Sequence, residues 1–286
     1  MCDDTTEKDT DAYLKRHPEM TRRQFNHLTA GAAIMTMLPK MVNAMDVTGR
    51  DVAITTPDGV TDAYFVHPTK SHHPAVLLWP DIFGLREAKR AMADRLASSG
   101  YAVLVVNPFY RDTKAPLERT DNFWETVMPM RARLTQAANF SDAGAYIEWM
   151  DQQAVVDTSR GVGTLGYCMG GPIVMRTAAA VPERVKAGAS FHGGGLVTDK
   201  DDSPHLLIPQ MQANFLIAVA ENDDEKEPET KGILRTHFAK AGLSAEIEVY
   251  EDAMHGWCPP DSRVYHEAQA EKAWNRLLRL LETSLT

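Results

Sequence analysis

Past residue 50 the chain alternates short apolar runs with amphipathic stretches, and that alternation predicts most of its elements. Residues 52–56 and 63–67 read as an opening antiparallel pair across the Pro57-Asp58-Gly59 turn. Residues 75–79 and 101–107 are nearly all apolar, as strands buried on both faces should be. Further strands are expected at 161–166, 185–191, 215–220 and 245–250. Helical periodicity between them predicts helices over 85–99, 142–153, 172–180, 227–241 and 264–281. Repeated strand-helix units imply a mostly parallel central sheet with helices on both faces, an α/β fold. One stretch, 108–138, is too long for a plain connection. It carries Phe109, Tyr110, Phe123 and Trp124 with several methionines and arginines, and we read it as a wall of a ligand pocket.

The N-terminus follows another pattern. Thr21-Arg22-Arg23-Gln24-Phe25 resembles the twin-arginine export motif. Behind it come an apolar run at 28–38, then Pro39, Lys40 and the small-residue site Val42-Asn43-Ala44. A run of 11 residues is too short to span a bilayer, which takes roughly 20. Residues 1–44 are therefore expected to be a cleaved signal peptide, read by the twin-arginine export machinery, that sends a folded protein to the bacterial periplasm or outside. Residues 45–286 are then a single domain, large enough for one extensive core. Residues 1–44 carry six acidic and six basic side chains, so the whole net charge of −9 belongs to the remainder. That acidity argues against nucleic acid or an anionic membrane as a partner, and no stable membrane insertion is expected. Two cysteines, Cys168 and Cys258, remain after cleavage, too few for a disulfide-built scaffold.

The chemistry concentrates at Gly166-Tyr167-Cys168-Met169-Gly170-Gly171. A G-x-nucleophile-x-G turn between a strand and a helix forces its central residue into a strained conformation. It needs small neighbours because the two backbones pass closely. The nucleophile is thereby raised beside backbone N–H groups at a helix N-terminus, which can hold an oxyanion and lower a thiol pKa. Such a cysteine needs a base and a group to orient it. Strand 215–220 runs into Glu221-Asn222-Asp223-Asp224, and strand 245–250 runs into a loop containing Met254-His255-Gly256. Acid and then histidine after the nucleophile is the chain order of α/β-hydrolases. Spacing alone does not separate Asp223 from Asp224.

Four stretches carry a resemblance to the dienelactone hydrolase family of α/β-hydrolases: Pro80-Asp81-Ile82-Phe83-Gly84, the cysteine elbow, Ala220-Glu221-Asn222-Asp223, and Ala253-Met254-His255-Gly256-Trp257. The resemblance spans nearly all of residues 45–286. It implies Cys168 as nucleophile, His255 as base and Asp223 as orienter, with the backbone N–H groups of Met169 and Ile82 as oxyanion hole. It implies a small-molecule ester or lactone as substrate, cleaved through an acyl-enzyme. The family usually has Glu where this chain has Asp81, an acid that helps keep the cysteine uncharged until substrate arrives. Family members that act on carboxylate-bearing lactones place an arginine shortly after the histidine. Here Cys258-Pro259-Pro260 follow, and Arg111, Arg131, Arg133 and Arg263 are the alternatives.

His192-Gly193-Gly194-Gly195 matches a lipase oxyanion motif, but that motif belongs before the nucleophile, so we read a tight loop at the pocket rim. No zinc-ligand spacing and no dinucleotide fingerprint appear, and neither metal nor cofactor is expected. Two alternatives stand beside the lactone or ester hydrolase. One is a broad carboxylesterase using the same triad. The other is a catalytically silent hydrolase-fold protein that binds a small molecule or senses thiol oxidation through Cys168 and Cys258.

Overall fold

The computed structural model describes residues 4–17, 38 and 44–286. The expected export motif at 21–25 lies outside the described residues, as does the apolar run after it apart from Leu38. Eight strands form one sheet: β1 (Val47–Thr56), β2 (Gly59–Pro68), β3 (Ala75–Trp79), β4 (Ala102–Val106), β5 (Val162–Tyr167), β6 (Val185–Phe191), β7 (Asn214–Ala220) and β8 (Ala245–Tyr250). Their order is β1-β2-β4-β3-β5-β6-β7-β8. β1 and β2 pair antiparallel, β2 pairs antiparallel with β4, and every other neighbour is parallel. This is the mostly parallel sheet that the strand-helix alternation predicts, in the α/β-hydrolase arrangement that the family resemblance implies.

Eight α-helices are described: α1 (Asp4–Arg16), α2 (Glu87–Ser98), α3 (Phe123–Ala132), α4 (Gln136–Asp151), α5 (Gly170–Ala180), α6 (Glu221–Lys226), α7 (Thr230–Ala241) and α8 (Glu267–Ser284), with a 3₁₀ helix at Pro204–Gln210. β3 and β4 are buried along their whole length, so successive side chains feed two cores. Leu77, Trp79 and Leu104 pack with residues of α4, α5 and α7 on one face. Val76, Leu78, Val103 and Val105 pack with Met92 and Leu96 of α2 and Trp274, Leu277 and Leu281 of α8 on the other.

The differences from the sequence reading have local causes. The helix expected at 227–241 is α7, which starts only at Thr230; a separate short helix, α6, ends at Lys226 before it, and Pro228 disfavours the helical conformation of Glu227 between them. Gly242 closes α7 at φ 70°, a left-handed cap that glycine adopts without strain. The helix expected from 142 starts at Gln136, where Thr135 Oγ1 accepts from the Ala138 amide at 3.2 Å. Its first turns hold Asn139 and Asp142, buried polar residues that hide the apolar period. β1 and β2 outrun their predicted spans because backbone pairing continues from Val47↔Pro68 to Thr56↔Gly59, past the point where β1 stops alternating.

Candidate active site

Three β–α or β–loop connections, those after β5, β7 and β8, bring the chemistry to one sheet edge. β5 ends at Tyr167 and α5 begins at Gly170, leaving Cys168 between them at φ 52°. The turn is fixed by the Cys168 amide donating to Phe191 O and the Gly171 amide donating to Cys168 O, both at 3.0 Å. A Cβ on Gly166 would lie 2.4 Å from Gly170 O, and one on Gly170 would lie 2.5 Å from Trp79 O. Both clashes are with backbone, so glycine is required at each place for the elbow to close.

β8 runs into the loop that carries His255, which is 5% exposed. Its Nδ1 lies 2.7 Å from Asp223 Oδ2, and its amide donates to Asn222 Oδ1 at 2.8 Å. Both partners stand in α6, just past the end of β7. Asp224 turns away and takes Lys231 Nζ at 2.6 and 2.8 Å. The structure therefore separates the two aspartates that spacing leaves equivalent. Asn222 was not singled out from the sequence, since nothing marks its side chain as the acceptor for a distant loop amide.

Cys168, His255, His192, Asp81 and Ile82 line one cleft of about 390 Å³. Phe83, Phe123 and Trp124 supply its apolar side, with Phe83 5.3 Å from Phe123 and 6.3 Å from Trp124 between ring centroids. Phe109, Phe123 and Val127 are buried against Ile82, Cys168 and Met169. Residues 108–138 thus form the expected wall, with α3 facing the cleft. Ile82 lies in a turn closed by the Gly84 amide donating to Asp81 O at 2.9 Å and the Phe83 amide donating to Asp81 Oδ1 at 3.0 Å. Among the described residues the amides of Ile82 and Met169 make no hydrogen bond. Met169 also stands at the N-terminal end of α5, where the helix favours negative charge.

Asp81 is 5% exposed and bound on both sides. Arg86 spans Asp81 and Asp261 in bidentate fashion, with Nη1 2.7 Å from Asp81 Oδ1 and Nε 2.7 Å from Asp261 Oδ2. Lys89, fully buried, pairs with Asp81 Oδ2 at 3.0 Å and places Nζ 3.8 Å from the centre of the Tyr167 ring. Burial alone would raise the Asp81 carboxyl, but the charges of Arg86 and Lys89 overcome it and hold the group well below the usual carboxylate range. Burial pushes Lys89 down from its ordinary value, and Asp81 opposes that. Asp81 is thus a fixed anion that shapes the Ile82 turn.

The basic candidates sort themselves by partner. Arg111 is held by Asp142 and Asp58, and Arg133 pairs with Asp112. Arg131 lines a separate hollow beside Arg176. Arg263 lies on the same cleft as Cys168 and His255, as do Arg86 and Arg119, and its Nη2 is 2.7 Å from Asp11 Oδ1 of α1. α1 itself reaches the cleft: Thr6 and Thr10 line it, Asp9 pairs with Lys226, and Leu14 is buried. Cys258 is a buried free thiol outside the cleft, and burial raises its pKa well above the ordinary value. Cys168 is disulfide-bonded while Cys258 is free, so the suggested Cys168–Cys258 pair is not formed.

The dienelactone hydrolase family model matches residues 61–285, which include the cysteine elbow and both loops that hold its partners. The chain belongs to the dienelactone hydrolase family. Its members hydrolyse ester or lactone bonds, so this chain is a hydrolase of that kind. It is 26% identical over 253 residues to a protein of Methylorubrum extorquens assigned as a carboxymethylenebutenolidase, covering 86% of this chain and 85% of that one. It is 27% identical over 214 residues to the carboxymethylenebutenolidase of Rhodococcus opacus, covering 74% and 81%. A crystal structure assigned as a dienelactone hydrolase from Klebsiella pneumoniae superposes with a TM-score of 0.73 at 23% identity, over 83% of this chain and 99% of that one. That likeness establishes the fold. No described helix is long and apolar enough to cross a membrane.

Proposed function

We propose that this dienelactone hydrolase family member cleaves an ester or lactone of a small molecule through Cys168, His255 and Asp223. The observation that carries the reading is a histidine whose Nδ1 is held 2.7 Å from a carboxylate while it shares a cleft with the elbow cysteine. Held so, Nδ1 carries the proton and Nε2 keeps a lone pair to act as base. Nε2 takes the proton of the reduced Cys168 thiol, and Sγ adds to the substrate carbonyl. The new oxyanion is met by the Ile82 and Met169 amides. Collapse breaks the ester bond, and the departing alkoxide takes the proton back from His255. Water, deprotonated by His255, then hydrolyses the thioester and returns Cys168 to its thiol. The apolar side formed by Phe83, Phe123 and Trp124 suits a ring or short acyl chain. Arg263 is the candidate partner for a substrate carboxylate once Asp11 is removed from it.

That removal belongs to the same reading: residues 1–44 are a twin-arginine signal, cut after Ala44, and the working enzyme is the periplasmic or secreted form 45–286. Two measurements on one preparation test this. The protein recovered from the periplasm should begin at Met45 by mass spectrometry. In thiol reductant it should hydrolyse members of a short ester and lactone panel faster than the full chain does, and Cys168→Ala should lower kcat by at least about 10³-fold. Intact 1–44 on a cytoplasmic protein would overturn the export reading, and undiminished turnover by Cys168→Ala would overturn the chemistry.

A further inference from the structure

His192 is a polar residue of the catalytic cleft that the triad leaves unused. It lies at the end of β6, is 1% exposed, and its amide donates to Ala218 O at 2.8 Å. Its ring sits edge-on to His255, with centroids 5.0 Å apart, and is flanked by Trp257 at 5.1 Å and Tyr167 at 6.0 Å. Neither ring nitrogen has a hydrogen-bond partner among the described residues. Burial, and then the neighbouring His255, push its pKa well below the ordinary value, so the ring is neutral and offers one N–H donor and one lone pair.

An aromatic filler would pack equally well against Tyr167 and Trp257 and would leave no polar atoms stranded. A buried group with both nitrogens unmet carries a desolvation cost that a partner in the cleft relieves. Its ring lines the cleft shared with Cys168 and His255, where a bound molecule can meet it. We propose that His192 is a specificity residue that hydrogen-bonds an uncharged oxygen of the substrate, a hydroxyl or carbonyl near the scissile ester. The inference rests on the acyl-transfer reading above and narrows its substrate class. Esters and lactones bearing such an oxygen are favoured over plain alkanoyl ones, because a site built around a hydrogen bond discriminates strongly against an analogue that leaves it unmade.

The test compares p-nitrophenyl 2- and 3-hydroxybutanoate with p-nitrophenyl butanoate, using the reduced full chain as wild type, His192→Phe and His192→Gln. Wild type should favour one of the hydroxylated esters by about 10–100-fold in kcat/KM. His192→Phe should bring that ratio close to one, and His192→Gln, which keeps a donor and an acceptor, should restore much of it. A general loss of packing lowers both substrates together and leaves the ratio in place, so the ratio reports the hydrogen bond. A wild-type ratio near one for both hydroxylated esters overturns the proposal even if His192→Phe fails to fold. A ratio unchanged in folded His192→Phe overturns it as well. Acylation of Cys168 by p-nitrophenyl butanoate is followed in parallel, so failure of the acyl-transfer reading is seen separately.

Discussion

Asp223→Asn is expected to lower kcat by about 10³–10⁴-fold while the protein folds normally. The carboxylate accepts from His255 Nδ1 at 2.7 Å, which fixes the ring orientation and, in the proposed mechanism, leaves Nε2 as the base. In the proposed mechanism it also stabilises the imidazolium that forms when the thiol proton is taken. An amide at the same place keeps the shape, but it can donate to Nδ1 and hold the ring in the tautomer that has no lone pair facing the cysteine. Asp224→Asn is the matched control, because that carboxylate serves Lys231 and not the histidine. Steady-state kinetics of both variants decide the point. Equal losses in the two would mean that the acidic turn matters only for folding.

The largest effect on stability is expected from Asp81→Asn. Arg86 and Lys89 converge on this carboxylate, and Lys89 is fully buried. Removing the anion leaves a buried ammonium without its counter-charge, a change that costs about 3–5 kcal/mol in comparable sites. Adding Lys89→Met to Asp81→Asn should recover part of the loss, since it removes the stranded charge. The pH dependence has a definite sign. The folded carboxyl is held below its ordinary value of 3.8, so its contribution is complete above that value and fades as pH falls beneath it. Wild type should therefore lose stability below about pH 4 more steeply than Asp81→Asn does. Denaturant unfolding at pH 7 and at pH 3 measures both effects, and matching pH slopes in the two proteins would contradict the assignment.

The sequence made the sheet and the elbow legible because both rest on local rules. Runs such as Ala75–Trp79 are buried on both faces, and Gly166 and Gly170 sit where backbone meets backbone. The positions of His255 and Asp223 were readable from the order of strand ends, but the choice between Asp223 and Asp224 needed the turn of α6. What stayed hidden depends on long-range partners. Lys89 lies on an amphipathic helix like any surface lysine, yet it is buried against Asp81. Arg111 looks like a candidate for a substrate carboxylate, and only the fold brings Asp58 and Asp142 to it. His192 reads as a loop residue beside three glycines, and its place next to His255 follows from the parallel pairing of β6 with β5 and β7. The seating of α1 over the cleft through Thr6 and Thr10 has no local signal.

In the proposed mechanism Cys168 carries the acyl group. Rapid mixing of reduced protein 45–286 with p-nitrophenyl acetate, followed by acid quench and peptide mass spectrometry, tests it most directly. The account predicts an acetyl adduct on the peptide containing Cys168, formed in step with a burst of p-nitrophenolate and absent from Cys168→Ala. An adduct on any other residue, or full hydrolysis by Cys168→Ala, would contradict it.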